Sequence, residues 1–277
     1  MKWLKYFAFL LSAVVLVACG GDDDEQKGGK ENLTDVVFQV KFPSYNFVNQ
    51  SAVETGTNGN GLKVDILKIG FYATDGSFNL EKEFMIGSES MDVLVSLALG
   101  KTYNVIFWAQ NSECEFYDVS NLNMITMKNP AIASMEGIEK LDAFYGACKG
   151  VEVDEGGLIF DVEMKRPLAQ INVGTTKSWK EIKFKLTDVP VAFSPLDGRV
   201  VAKSDLTFQN IVMPNKVAEF TADGQTYKYL GLAYVFAPMQ KTDISCVLTI
   251  YEGKTETSYL LPLDIQVNHK STILGDY

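Results

Sequence analysis

The chain has 277 residues, with 25 Lys+Arg against 35 Asp+Glu, a formal net charge of −10, one His and four Cys. That acidic balance disfavours nucleic acid as a partner, because binding there depends on neutralising phosphates with Lys and Arg. A single imidazole excludes metal sites built on two or more His, and sparse Cys without CxxC spacing gives neither a zinc site nor a disulfide framework.

Lys2 and Lys5 open the chain, and residues 6–18 are apolar except for Ser12. That run of 13 residues falls short of the roughly 20 that cross a bilayer as a helix, so residues 1–18 read as a secretory signal. The ending Leu16-Val17-Ala18-Cys19 resembles a bacterial lipobox. The resemblance implies removal of residues 1–18 and acylation of the Cys19 thiol, hence a lipid anchor in the outer membrane. The alternative is an ordinary cleaved signal followed by a chance Cys. Each buried methylene contributes about 0.8 kcal/mol, so two or more acyl chains hold a protein stably. Asp22-Asp23-Asp24-Glu25 resembles the surface-export signals of Bacteroidetes-type lipoproteins, which implies an address on the outer face of the cell. The same acids also suit a solvated spacer. Residues 19–34 are too polar to bury a core and read as a flexible acidic tether, leaving residues 35–277 as the folded body.

In the body the dominant period is two. Phe38, Val40 and Phe42 alternate with Gln39 and Lys41, and strand-like runs follow near 62–73 and 78–86. Met91, Val93, Val95 and Leu97 alternate with Asp92 and Ser96, while Tyr103, Val105, Phe107 and Ala109 share one face of the next run. The stretch 130–141 hints at a short helix, with Ile132, Met135, Ile138 and Glu139 near helical spacing. Leu158, Phe160, Val162 and Met164 alternate again, as do Ile182, Phe184 and Leu186; further runs lie near 168–175, 226–236, 244–251 and 257–263. Such alternation puts one face on a core and one in water, as in antiparallel sheets. Asp75-Gly76, Asp197-Gly198, Asp223-Gly224 and Glu252-Gly253 punctuate the runs as hairpin turns do. Together these predict an all-β chain of β-sandwiches. Lys165-Arg166-Pro167 marks a boundary, since Pro is confined to strand starts and edges. The expectation is an N-terminal sandwich over 35–165 and a C-terminal one over 166–277.

No catalytic constellation emerges. His269 sits in the polar Asn268-His269-Lys270-Ser271 and reads as structural. No Walker loop, HExxH or GxSxG occurs, and Gly56, Gly59 and Gly61 lack the strand-then-helix context of a phosphate loop. Asp154-Glu155-Gly156-Gly157 lacks calcium-ligand spacing and reads as a turn. No catalytic residue, metal or cofactor is assigned. Cys114 and Cys148 could pair in an oxidising compartment, but burial of Cys114, Cys148 and Cys246 as small free hydrophobes is the leading reading. Most aromatics suit core packing. Alternation sets Trp108 on the face opposite Val105 and Phe107, which makes it the candidate for stacking on a sugar ring.

The segments Tyr103-Asn-Val-Ile-Phe-Trp-Ala-Gln110, Leu141-Asp-Ala-Phe-Tyr-Gly146 and Lys165-Arg-Pro-Leu-Ala-Gln-Ile-Asn-Val173 resemble fimbrillin-type proteins of Bacteroidetes. The ending Val267-Asn-His-Lys-Ser-Thr-Ile-Leu-Gly275 is similar to theirs, departing from it at Lys270 and at Ser271-Thr272. The resemblance spans residues 36–275. It implies two tandem transthyretin-like (Greek-key) β-sandwich domains and a structural subunit or anchor of a pilus or adhesion structure, working with other pilus subunits or surface proteins. It also implies assembly by β-strand addition, in which a protease exposes a groove that a neighbour's strand fills. Val36, Phe38, Val40 and Phe42 are then the strand-exchange candidates. Processing in that family is commonly at Arg, and this chain has only Arg166 and Arg199. The first strand is therefore expected to stay in place and the lipid to be retained, as in an anchor or basal subunit. Cleavage after Lys41 or Lys63 is the alternative. The sequence stops at Asp276-Tyr277, which predicts a short last strand or an unfilled sheet edge open to another chain. A different class of function is a surface glycan-binding lipoprotein of a polysaccharide-uptake system, resting on exposed aromatics such as Trp108.

Overall fold

The computed structural model of the chain describes residues 32–43, 48–49, 61–128, 139–177, 181–212 and 219–277. Its strands in chain order are β1 Leu33–Lys41, β2 Val48–Asn49, β3 Ile66–Ala73, β4 Phe78–Met85, β5 Ser90–Ala98 and β6 Thr102–Gln110. There follow β7 Tyr117–Asp118, β8 Ile125–Met127, β9 Ala143–Glu152, β10 Leu158–Glu163, β11 Leu168–Thr175 and β12 Glu181–Ser194. The last are β13 Arg199–Val212, β14 Glu219–Ala222, β15 Gln225–Phe236, β16 Thr242–Glu252, β17 Thr255–Ile265 and β18 His269–Gly275. The chain is all-β, and its sheets build sandwiches.

In the first sandwich a three-stranded sheet, β10-β1-β5, faces a four-stranded sheet, β4-β3-β6-β9. β1 is the middle strand, parallel to β10 and antiparallel to β5. Alternation sends Val36, Phe38 and Val40 inward, where all are fully buried. Phe38 meets Phe107 edge-on with ring centroids 5.4 Å apart and stacks on Phe160 at 5.6 Å. Burying such a side chain contributes about 1.5–3 kcal/mol, so β1 supplies a large part of this core. The strand starts at Leu33, inside the stretch expected to be tether.

The second sandwich pairs the sheet β14-β15-β11-β18-β2 with β17-β16-β12-β8-β7, and β13 runs along β12 as an additional strand. β11 is buried at every position, lying between antiparallel β15 and parallel β18. Its Ile171 and Val173 share a core with Leu186, Leu248, Ile250 and Leu263. The sheets do not divide cleanly at 165/166. β2, β7 and β8 come from the first half of the chain yet pair in the second sandwich, Val48 with His269 and Ile125 with Phe193. β6 shows the cause: Val105, Phe107 and Ala109 belong to the first core, while Ile106 and Trp108 on the opposite face belong to the second. A strand buried on both faces reads as a continuous apolar run, here Val105 to Ala109.

Each expected turn closes a hairpin: 75–76 links β3 to β4, 197–198 β12 to β13, 223–224 β14 to β15, and 252–253 β16 to β17. Asp223 and Gly224 both have positive φ, 50° and 77°, the type I′ geometry whose twist matches its flanking strands. The 154–157 segment turns between β9 and β10, with the Gly156 N–H donating to Asp154 Oδ1 at 3.0 Å. The expected helix over 130–141 lies outside the described residues except at 139–141. Beyond the expected runs the chain forms β9, β13 and β18 and the short strands β2, β7, β8 and β14. In β9, a Cβ added at Gly146 would stand 2.9 Å from Val162 Cγ1 and 3.0 Å from Met164 Sδ. The glycine that admits those side chains also breaks the apolar pattern. β13 shifts register against β12 at several points, which breaks a period of two.

Candidate functional site

The strand-exchange candidates Val36, Phe38, Val40 and Phe42 line the inward side of β1 and its exit. Phe42 is 8% exposed and lies edge-on to Phe144 at 6.2 Å. The register is unbroken on both flanks, from Leu33 opposite Ala98 to Lys41 opposite Ser90, and from Val36 opposite Leu158 to Lys41 opposite Glu163. Without β1, strands β5 and β10 would lose their shared partner above a floor of Phe71 and Phe107, with Phe160 of β10 at its side. An extended segment with alternate apolar residues fits such a slot, because ladder hydrogen bonds and side-chain pockets act together.

A second site joins distant parts of the chain. Arg166 Nε and Nη2 donate to the two carboxylate oxygens of Asp142, both at 2.8 Å, and both side chains are 1% exposed. Arg166 Nη1 donates to Asn268 Oδ1 at 2.7 Å, and the guanidinium lies 4.8 Å from the Phe144 ring centroid. The Ala143 N–H adds a bond to Asp142 Oδ1 at 2.9 Å. The main chain reinforces the junction: Tyr145 and Lys165 exchange N–H to carbonyl bonds at 2.8 Å each, and the Asn268 N–H donates to Leu168 O at 2.7 Å. Asn268 takes positive φ, 59°, a conformation that Asn tolerates better than most side chains. The planar fork of Arg is what permits the two-point grip on Asp142. Asp142, Arg166 and Asn268 each sit in a segment quoted for the family resemblance, yet spacing alone gives no sign that they meet.

Trp108 is not a sugar platform. It is fully buried, its indole N–H donates to Gln110 Oε1 at 2.8 Å, and its ring meets Tyr117 and Phe236 edge-on at 5.2 and 6.3 Å. The face opposite Phe107 looks into the second core instead of water. His269 Nδ1 lies 2.7 Å from Val267 O at the start of β18. Cys114, Cys148 and Cys246 are free thiols; burial pushes Cys114 and Cys148 up to about 11 and raises Cys246 strongly. β18 does not form a bare outer edge but lies between β11 and β2, although β2 covers only His269 and Lys270. Cys19 lies outside the described residues.

A recess of about 510 Å³ on the second sandwich is lined in part by Asp188, Asp243 and Asp264. Asp243 and Asp264 stand opposite each other on β16 and β17. Their mutual hydrogen bond raises the Asp243 carboxyl and lowers that of Asp264, which Lys241 also stabilises as the anion. Among the described residues no group of three or more His, Cys, Asp or Glu could hold a metal ion.

A family model described as a family of unknown function, DUF6562, matches residues 30–277. The chain belongs to that family. No curated protein matches it. Among solved structures, a candidate adhesin of Bacteroides thetaiotaomicron is similar to this DUF6562 member with a TM-score of 0.52 and 14% identity, covering 83% of this chain and 81% of that one. The fimbrial anchor protein Mfa2 of Porphyromonas gingivalis is similar with a TM-score of 0.50 and 11% identity, covering 87% of this chain and 91% of that one. At such identities the likeness establishes a shared β-sandwich fold.

Proposed function

We propose that this chain is a fimbrial-type adhesion protein of the cell surface, held by an acyl group on Cys19 and acting as an anchor or basal subunit. The observation that carries the reading is the seat of β1. It is paired along both edges and contributes fully buried side chains to the first core. Such a strand is surrendered only if a protease cuts beside it, so the anchor reading rests on this seat together with the lack of an Arg near β1. Neither Arg offers a cut near β1: Arg166 is buried in its ion pair, and Arg199 follows the β12–β13 turn. Fold neighbours named as a fimbrial anchor and a candidate adhesin favour the same reading. The glycan-binding alternative loses its named carrier with the burial of Trp108.

The test is electrophoresis of outer-membrane fractions after mild and full heating, with labelled palmitate supplied to the cells. The wild-type chain is expected to carry label and to run with high-mass polymers that survive mild heat. Cys19→Ser should lose the label and escape to the medium. A chain that stays unlabelled, and monomeric after mild heating, would contradict the proposal.

A further inference from the structure

We propose that the outward face of the sheet β10-β1-β5 is a docking surface for a protein segment with an apolar centre flanked by cationic residues. The proposal does not depend on the anchor reading, because it uses side chains on a sheet face and not a strand edge or a lipid.

The register fixes what this face displays. Val36, Phe38 and Val40 point inward, so Leu33, Asp35, Val37, Gln39 and Lys41 of β1 point outward. Cross-strand pairing then sets out successive rows. Leu33 stands beside Ala98, Asp35 beside Ser96, and Val37 between Leu94 and Ile159. Gln39 follows between Asp92 and Asp161, and Lys41 between Ser90 and Glu163. Leu94 is 60% and Ile159 66% exposed, and Leu33 at the start of the strand is 62% exposed. An isolated exposed Leu is ordinary. A row apolar across every strand of a sheet, on the face that alternation normally gives to water, is not.

The charges around that row select the occupant. Asp35 lies on one side, and Asp92, Asp161 and Glu163 on the other; all are exposed. Lys41 is the one cation in these rows, and it is tied to Asp161 at 2.8 Å. Rows on one face lie about 7 Å apart, inside a Debye length of about 8 Å at physiological salt, so Asp35, Asp92 and Asp161, each one row away, act on whatever covers the apolar row, and Glu163 in the row beyond adds less. A second copy of this chain would bring carboxylates against carboxylates. An anionic leaflet would be repelled, as would the chain's own acidic run at 22–25. Lys or Arg placed on both sides of a Leu or Ile row complements the face in charge and apolarity together.

The experiment titrates the purified full chain, by fluorescence anisotropy, into two helical peptides that share one Leu row. One carries Lys along both sides of the row, the other Glu. The Lys-flanked peptide should bind at least about tenfold more tightly, and raising salt to about 0.5 M should largely erase that preference. Leu94→Ser with Ile159→Thr should weaken binding about fivefold or more by removing the apolar contact. Asp35→Asn with Asp92→Asn should cut the preference for Lys at least about threefold while leaving the melting temperature unchanged, since Asp161 and Glu163 remain. Equal binding of the two peptides, or binding by neither, would overturn the proposal. So would concentration-dependent dimers, or attachment to vesicles of phosphatidylglycerol, that the Leu94→Ser, Ile159→Thr variant abolishes.

Discussion

Arg166 ties three separated parts of the chain with one side chain: Asp142 before β9, Asn268 before β18, and its own position between the two halves. Burying two charges is costly unless both stay paired, and removing one partner of such a pair costs about 3–5 kcal/mol. Asp142→Ala should therefore destabilise the protein by about that amount in urea unfolding, and Arg166→Lys by less, since Lys keeps the charge but not the two-point grip. Asp142→Leu combined with Arg166→Met should recover part of the loss, because no charge is then left buried alone. An effect under about 1 kcal/mol for Asp142→Ala would assign the junction to backbone pairing. The thiols give a second check at this scale. Cys114 and Cys246 are buried with raised pKa values, and thiol reagents attack the thiolate. Both should resist a disulfide reagent at neutral pH until denaturant is added; rapid labelling of Cys246 in the folded protein would contradict its place in the second core.

At the scale of the element, strands with one wet and one dry face were legible in the sequence. β1, β5 and β10 alternate because their outer sides meet solvent, and the Asp-Gly turns required backbone that few other residues accept. β6 was legible as a strand but not in its packing: a single sequence reveals the period, not what covers the second face. Trp108 was misread for that reason. β9 escaped because Gly146 interrupts it. A side chain placed there would bring its Cβ to 2.9 Å from Val162 Cγ1 and 3.0 Å from Met164 Sδ. Gly146→Val should therefore cost about 1–3 kcal/mol through overpacking, measured as a lower urea midpoint. Unchanged stability would mean that β9 and β10 separate easily. The Asp142–Arg166 contact was illegible for another reason. It joins residues far apart in sequence, and only the fold brings them together.

At the scale of the whole molecule the second core is built from both halves of the chain. Tyr117 comes from the first half, Tyr234 and Cys246 from the second, and burial raises the pKa of all three. In the unfolded chain these groups lose protons near their ordinary values, 10.0 for Tyr and 9.0 for Cys. Folded, they keep them, so above about pH 9 the native state binds more protons and stability falls as pH rises. Each group can contribute up to about 1.4 kcal/mol per pH unit in that window. These groups leave the urea midpoint unchanged between pH 7 and about 8.5 and lower it above about pH 9, in one transition, since the halves share a core. Two separated alkaline transitions would contradict that coupling. An Arg-specific protease acting on the native protein should cut after Arg199 or nowhere, because Arg166 is enclosed.

On the proposed function the protein keeps its first strand and is held at the surface ahead of it. Mass spectrometric mapping of the N-terminus of material stripped from the cell surface tests this most directly. An acylated Cys19 continuous with an uncut segment through 32–43 is the predicted result. A mature protein beginning anywhere within residues 40–65, with β1 gone, would contradict it.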